Sequence, residues 1–200
     1  VITVAKKHGI EVIYGDTDSV FLIDSDKISD FEKEINDSLP DPMELEDEGN
    51  YQSGVFLGKK GSEKGAKKRY ALLDQNGKMI VKGLESRRGD WSKLAKNAQL
   101  DVLKSILSDG DGGEALNIVH KIIENIQNKE IELDDLILSN RLTRNLSDYS
   151  AIGPQVIAGR LMEKRGEVVG PGTVVKYIIT AGSSKLVRDR VKLADEVNID

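Results

Sequence analysis

The chain has 200 residues, of which 38% are hydrophobic and 32% are charged, and its formal net charge is −5. This length suits one sizeable domain or two small ones, and no apolar run is long enough to span a bilayer. The absence of cysteine excludes a disulfide framework, a thiolate zinc site and a thiol nucleophile, and we therefore expect a cytoplasmic protein with no membrane partner.

The charges are segregated along the chain. Residues 24–48 carry a large excess of acidic side chains, with Lys27 and Lys33 as the only cations. Residues 59–69 invert this balance, because their Lys and Arg side chains are accompanied by Glu63 alone. A net acidic protein can still present a basic stripe to a polyanion, so the overall charge does not exclude a nucleic-acid partner.

The first predicted elements are the end of a helix and a β-hairpin. Apolar residues within 1–8 recur at helical spacing, and Gly9 stops that helix. Because the first residue is not Met and lies inside the periodic pattern, we expect further sequence upstream. Two β-rich apolar runs, 12–14 and 20–23, then flank a short polar centre, which is typical of a β-hairpin.

The polar centre of the hairpin contains two carboxylates, Asp16 and Asp18. Because residues two apart in an extended segment point the same way, we expect both side chains at the hairpin tip, with Thr17 pointing elsewhere. Carboxylates held that close repel each other unless a cation or proton joins them, and Mg²⁺ favours such ligands. The alternative is a turn that Asp caps through backbone hydrogen bonds, and the Asp-x-Asp spacing alone does not decide.

A helix and several strands are predicted after the hairpin. Apolar residues at helical spacing predict a helix over 28–39, which Pro40 and Pro42 end. The next elements are strands at 43–48 and 51–57 in the sheet that carries the hairpin, a mobile loop at 59–66, a strand at 67–73, and an Asn-Gly turn at 75–78 with its return strand at 79–81.

The second half of the chain is predicted to be mainly helical. Asp90 is a candidate N-cap for a helix that carries Trp91 on its apolar face. The remaining elements are a break at 108–113, a helix at 115–126, a short strand or turn at 131–138, a helix at 154–166 and a strand at 174–179. The Asp-rich break lacks the later ligands and the closing Glu of a calcium loop.

Four sequence landmarks follow one another along the chain. They are Tyr14-Gly15-Asp16-Thr17-Asp18-Ser19, then Lys67-Lys68-Arg69-Tyr70, then Lys82-Gly83-Leu84-Glu85 with Arg88, Asp90 and Trp91, and finally Thr143-Arg144 with Leu146, Tyr149 and Gly153-Pro154-Gln155-Val156. In this order they resemble B-family DNA polymerases of archaeal type, over nearly the whole sequence. The resemblance implies an α+β fold with a partial antiparallel palm sheet and its catalytic β-hairpin in residues 1–70, followed by a mainly helical thumb in residues 71–200.

The resemblance also implies roles for the hairpin residues. Asp18 is the direct ligand of the catalytic metals, and Asp16 is the neighbouring catalytic carboxylate that tunes the site. The implied cofactor is Mg²⁺, in a two-metal site shared with a carboxylate that this chain does not contain. The hairpin is shaped by Tyr14, Gly15, Thr17 and Ser19. Tyr14 also fits the alternative of an ordinary aromatic residue in a strand.

The basic landmark and the last landmark imply contacts to DNA. The element that follows the minor groove of the primer–template is matched by Lys67, Lys68, Arg69 and Tyr70. Contacts in that groove test pairing geometry and carry little sequence information. A solvated lysine-rich loop is the alternative. Thumb contacts to the duplex backbone are implied for Arg88, Thr143 and Arg144, whereas Trp91 is expected in the core.

Several parts of a complete polymerase are absent from the sequence. The family's other catalytic Asp, its fingers helix and its exonuclease carboxylates are not present, and Gly89 stands where a second Arg is usual. Two hypotheses fit: a fragment of a long polymerase, or the small subunit of a split archaeal polymerase. The implied partners are primer–template DNA, a dNTP, the large subunit or missing remainder, and a sliding clamp as a further candidate, with association to the nucleoid.

Two functions from other classes stay open on the sequence alone. A metal-dependent glycosyltransferase also uses Asp-x-Asp to hold a nucleotide diphosphate, and it predicts no affinity for a primer–template. A non-catalytic DNA-binding accessory subunit would keep the basic segments but would tolerate the loss of Asp18.

Overall fold

The computed structural model of the chain describes residues 1–58, 61, 65–110 and 112–197. It contains helices and antiparallel strands, which confirms the predicted α+β class. The predicted loop at 59–66 lies mostly outside the described residues, as does Asp111 of the predicted break. Across the described part of the chain, no helix combines the length and the apolar character that crossing a membrane requires.

The chain divides into two compact units, Val1–Leu84 and Glu85–Asp200. The boundary expected between residues 70 and 71 falls inside a strand of the first unit. In chain order, the elements of the first unit are α1 (Ile2–Lys7), β1 (Val12–Asp16), β2 (Ser19–Leu22), α2 (Ile28–Asn36), β3 (Tyr51–Gly58), β4 (Gly65–Asp74) and β5 (Met79–Lys82).

The strands of the first unit form two separate antiparallel sheets. The hairpin β1–β2 is a sheet of its own, and β3, β4 and β5 form the second sheet in that order. The predicted hairpin, the strand at 51–57 and the Asn-Gly turn are confirmed. The expectation that one sheet carries all these strands is wrong, because no backbone ladder joins β1–β2 to the second sheet within the described residues.

The expected strand at 43–48 is also wrong, since this segment has no regular secondary structure. The side-chain amide of Asn36 replaces a strand partner. Its oxygen accepts the N–H of Leu45 at 2.7 Å, and its nitrogen donates to the carbonyl of Leu45 at 2.9 Å. Both backbone groups are thus satisfied without a ladder, and the Leu45 side chain packs on the core that α1 and α2 share around Phe31 and Ile35.

The second unit combines helices with a three-stranded antiparallel sheet, so it is less purely helical than the sequence suggested. Its elements are α3 (Lys93–Asp109), α4 (Gly112–Gln127), α5 (Leu133–Leu136), β6 (Leu138–Arg141), α6 (Pro154–Lys164), β7 (Val174–Ile179) and β8 (Val191–Leu193). The short segment predicted at 131–138 is α5 followed by the start of β6. Helix α6 packs on the sheet, and the core there contains the fully buried Leu142, Val156 and Val175.

Helix α3 begins later than its sequence pattern indicated. Ser92 is the N-cap, and its hydroxyl accepts the N–H of Ala95 at 3.3 Å. The expectation that Asp90 caps this helix is wrong, because the Asp90 carboxylate is engaged by the guanidinium of Arg88. Trp91 consequently lies before the helix rather than on its apolar face, and with 40% of its surface exposed it is not a core residue.

The cap of α3 can be tested by stability. We expect Ser92→Ala to lower the free energy of unfolding by about 1 kcal/mol, because the N–H of Ala95 loses its side-chain acceptor. Urea unfolding followed by circular dichroism measures the change. Ser108→Ala, at an exposed position near the other end of the helix, is the matched control and should cause no loss of stability, because Ala favours a helix more than Ser does. Equal losses in the two variants would contradict the assignment of the cap.

Candidate metal-binding hairpin and nucleic-acid interface

The tip of the hairpin is a two-residue turn made by Thr17 and Asp18, with Asp16 paired to Ser19 across it. The strand alternation expected for residues 16–18 therefore does not hold, because these residues are not one extended segment. The Asp16 carboxylate instead caps the turn. One of its oxygens accepts the N–H of Thr17 at 2.9 Å and the Thr17 hydroxyl at 3.2 Å.

The two carboxylates of the hairpin have different surroundings. The backbone N–H of Thr17 lowers the pKa of Asp16, with smaller contributions from the Thr17 hydroxyl and from the charges of Lys68 and Lys67. Asp18 is exposed at the turn, and its carboxylate forms no hydrogen bond or ion pair within the described residues. Asp16 is thus an ionised group already used by the turn, while Asp18 offers a free carboxylate.

Four aromatic rings join the hairpin to the neighbouring sheet. They belong to Tyr14 of β1, Phe21 of β2, Phe56 of β3 and Tyr70 of β4. The rings of Tyr14 and Phe56 are stacked with centroids 5.0 Å apart, and Phe21 lies 5.2 Å from both Phe56 and Tyr70. Each such pair contributes roughly 0.5–1.5 kcal/mol beyond the area it buries. Packing therefore takes the place of the missing backbone ladder.

The hydroxyl of Tyr14 adds a directional contact to this aromatic cluster. It accepts the backbone N–H of Lys68 at 2.8 Å and donates to the carbonyl of Ala66 at 3.3 Å. Tyr14 therefore links the hairpin to the backbone of β4. Sequence reasoning missed Phe21 and Phe56 as partners, because each lies inside a continuous apolar run in which no alternation marks the face that it occupies.

The basic segment, Lys67-Lys68-Arg69, is an irregular part of β4. Pairing with β3 shifts register between Tyr70 and Gly65, which leaves the intervening residues bulged out of the ladder. Lys67 and Lys68 are exposed there, whereas Arg69 and Tyr70 are half-buried. Burial among the rings raises the pKa of Tyr70. The first unit thus brings the hairpin carboxylates and the basic segment together.

The remaining predicted DNA contacts lie in the second unit. The Arg88 guanidinium holds Asp90 in a bidentate ion pair, with nitrogen–oxygen distances of 2.9 and 2.6 Å. The backbone N–H of Thr143 donates to the Tyr149 hydroxyl at 2.9 Å. Arg144 is exposed beside this contact. To bind a phosphate, Arg88 would have to share its guanidinium with Asp90 or release that carboxylate. Arg144 would not have to give up an ion pair within the described residues.

The described residues contain no group of three or more His, Cys, Asp or Glu side chains that could hold a metal ion. The hairpin therefore supplies two carboxylates at most. Such a pair fits a hard cation that takes its other ligands from water, substrate phosphates or a further chain segment. A metal centre at the hairpin would therefore be incomplete without those further ligands.

Known proteins resemble the chain over nearly its whole length. The model of DNA polymerase family B matches residues 2–199. The DNA polymerases of Thermococcus kodakarensis and Methanocaldococcus jannaschii are each 38% identical to it, over 96% and 98% of the chain. The DNA polymerase of Thermococcus sp. (strain 9oN-7) is 39% identical over 96% of the chain.

The match covers only a small part of these relatives. It spans 12% of the first two and 24% of the third. Among solved structures, the family B DNA polymerase from Pyrobaculum calidifontis is similar with a TM-score of 0.70 and 35% identity, over 96% of this chain and 24% of that one. The chain therefore belongs to DNA polymerase family B.

Proposed function

We propose that the chain is a component of a DNA-directed DNA polymerase that supplies the metal-binding hairpin and part of the grip on the primer–template. The observation that carries this proposal is the exposed carboxylate of Asp18 on a hairpin packed beside the exposed Lys67 and Lys68. Carboxylates recruit the cations that phosphoryl transfer needs, and lysines bind backbone phosphates. Residues 1–70 are assigned to the palm and 71–200 to the thumb.

The metal proposed for the hairpin is Mg²⁺, with Asp18 as its direct ligand and Asp16 as the neighbouring carboxylate. When bound, Mg²⁺ would offset the charge of the triphosphate and favour deprotonation of the attacking 3′-hydroxyl. The chain's own contribution is positional. The Thr17 hydrogen bonds hold Asp16 ionised and fix the turn, so that Asp18 faces solvent at a defined place. Tyr14, Gly15 and Ser19 shape the same hairpin.

The rest of the catalytic site must come from elsewhere, because the hairpin offers two carboxylates and no third ligand is available among the described residues. We propose a large polymerase subunit, or the remainder of a longer polymerase, as the source of the other palm carboxylate and of the fingers. Primer–template DNA and a dNTP are the substrates, with Arg69, Tyr70, Arg88, Thr143 and Arg144 as further DNA contacts.

A non-catalytic DNA-binding subunit is the second candidate function. The half-complete donor set of the hairpin is the observation that favours it. The glycosyltransferase hypothesis is not retained, because the family match extends over residues 2–199 and not only over the Asp-x-Asp segment.

The catalytic proposal predicts that Asp18→Ala abolishes nucleotide incorporation. Primer extension with Mg²⁺ and four dNTPs would compare the chain alone, the chain mixed with a polypeptide that supplies the other polymerase parts, and the mixture carrying the variant. We expect activity only in the unsubstituted mixture, because Asp18 completes the metal site. Asp24→Ala removes an exposed carboxylate just beyond β2 and should leave activity unchanged. Full activity without Asp18 would favour the accessory function instead.

The DNA-binding proposal predicts that Lys68→Ala weakens primer–template affinity about equally for different sequences. A lost phosphate contact should also reduce the slope of log K against log salt by about 1. Fluorescence anisotropy of the assembled polymerase with two unrelated duplexes, at several salt concentrations, measures both quantities. Lys78→Ala, an equal charge change in the turn before β5, is the control that should have little effect. A loss confined to one duplex sequence would contradict a backbone or minor-groove role.

A further inference from the structure

The peptide of Lys68 is held in an uncommon conformation. Its φ angle is +57°, in the left-handed region that residues with a side chain seldom adopt. Such a backbone costs of order 1–2 kcal/mol and persists only where the surroundings impose it. The segment has also left the regular ladder, since the register of β3 and β4 shifts there. Contacts outside the ladder must therefore maintain this conformation.

Two contacts hold the backbone of Lys68, one at its N–H and one at its carbonyl group. On one end, its N–H donates to the Tyr14 hydroxyl at 2.8 Å. On the other end, its carbonyl oxygen packs against Gly83, where an added Cβ would come within 2.0 Å of it. Gly83 itself has a φ angle of +62°. Only glycine can occupy that position without displacing Lys68.

Tyr14 is well placed to transmit this constraint to the hairpin. It precedes Asp16 by two residues in the same strand, so both side chains lie on one face of β1. Its ring is stacked on Phe56 and lies 6.0 Å from Phe21 and from Tyr70, which fixes the direction of the hydroxyl. Tyr14 thus belongs to the strand that carries Asp16 and also bonds to the backbone of Lys68.

We infer that Tyr14 is a positioning residue. Its hydroxyl holds the left-handed backbone of Lys68, which Gly83 contacts from the other side. This contact sets the position of the Lys67 and Lys68 side chains relative to the hairpin carboxylates. This inference rests on the proposed function, since the lysines are taken to bind DNA. Its consequence is that primer–template held by these lysines is brought to a fixed distance from Asp18. Tyr14 acts through Lys68 and does not itself contact the reacting atoms.

The test removes the hydroxyl and keeps the ring. Tyr14→Phe preserves the aromatic cluster but leaves the Lys68 N–H without its acceptor, and Tyr51→Phe, in the neighbouring sheet, is a matched control. Hydrogen exchange of the Lys68 amide should accelerate in Tyr14→Phe and not in the control. Anisotropy of the assembled polymerase should show primer–template affinity about three- to tenfold weaker, the size expected for one hydrogen bond.

A double-substitution cycle separates positioning from a general structural role. In a Lys67→Ala, Lys68→Ala background, Tyr14→Phe should cause no further loss of DNA affinity, because the side chains that it places are gone. An equal loss in both backgrounds would overturn the inference, as would unchanged exchange of the Lys68 amide. If the lysine substitutions themselves leave affinity unchanged, the DNA-binding role of this segment fails and the inference falls with it. Gly83→Ala should reproduce the effect of Tyr14→Phe from the carbonyl side of Lys68.

Discussion

The contact on which the first unit depends is the aromatic cluster of Tyr14, Phe21, Phe56 and Tyr70. A two-stranded hairpin is marginally stable on its own in water, and this hairpin shares no backbone ladder with the neighbouring sheet in the described part of the chain. Ring packing fastens the hairpin to that sheet, while Val12 and Leu22 pack on the core that α1 and α2 share. Because the rings come from both strands of the hairpin and from β3 and β4, they also fix where the turn lies relative to the basic segment.

The two hairpin carboxylates have different surroundings. One oxygen of Asp16 is hydrogen-bonded within the turn, whereas the Asp18 carboxylate forms no hydrogen bond or ion pair within the described residues. The charges of Lys68 and Lys67 also lower the pKa of Asp16 and favour its ionised form. The proposed metal site needs further ligands from water, substrate or another part of the polymerase, and the chain spans only 12% to 24% of these three relatives.

Local patterns predicted the parts of the fold that depend on local chemistry. The hairpin, the Asn-Gly turn with Gly77 at a φ angle of +76°, and the helix opened by Pro154 were all predicted from short sequence signals. The errors have long-range causes. The side chain of Asn36 holds the segment around Leu45, and the Asp90 carboxylate pairs with Arg88 instead of capping α3. The bond between Tyr14 and Lys68 joins residues 54 positions apart, so no sequence pattern indicates it.

The most direct test of this account is to map where a divalent cation binds. Mn²⁺ added to the isotopically labelled chain broadens the NMR signals of nearby amides. We expect broadening to begin at residues 16–19 and next to reach residues 66–68, because the aromatic cluster holds the two segments together. Broadening centred on the acidic residues 44–48, with the hairpin tip unaffected, would contradict it. So would broadening of the hairpin tip alone, since the basic segment would then lie too far away to be positioned by the hairpin.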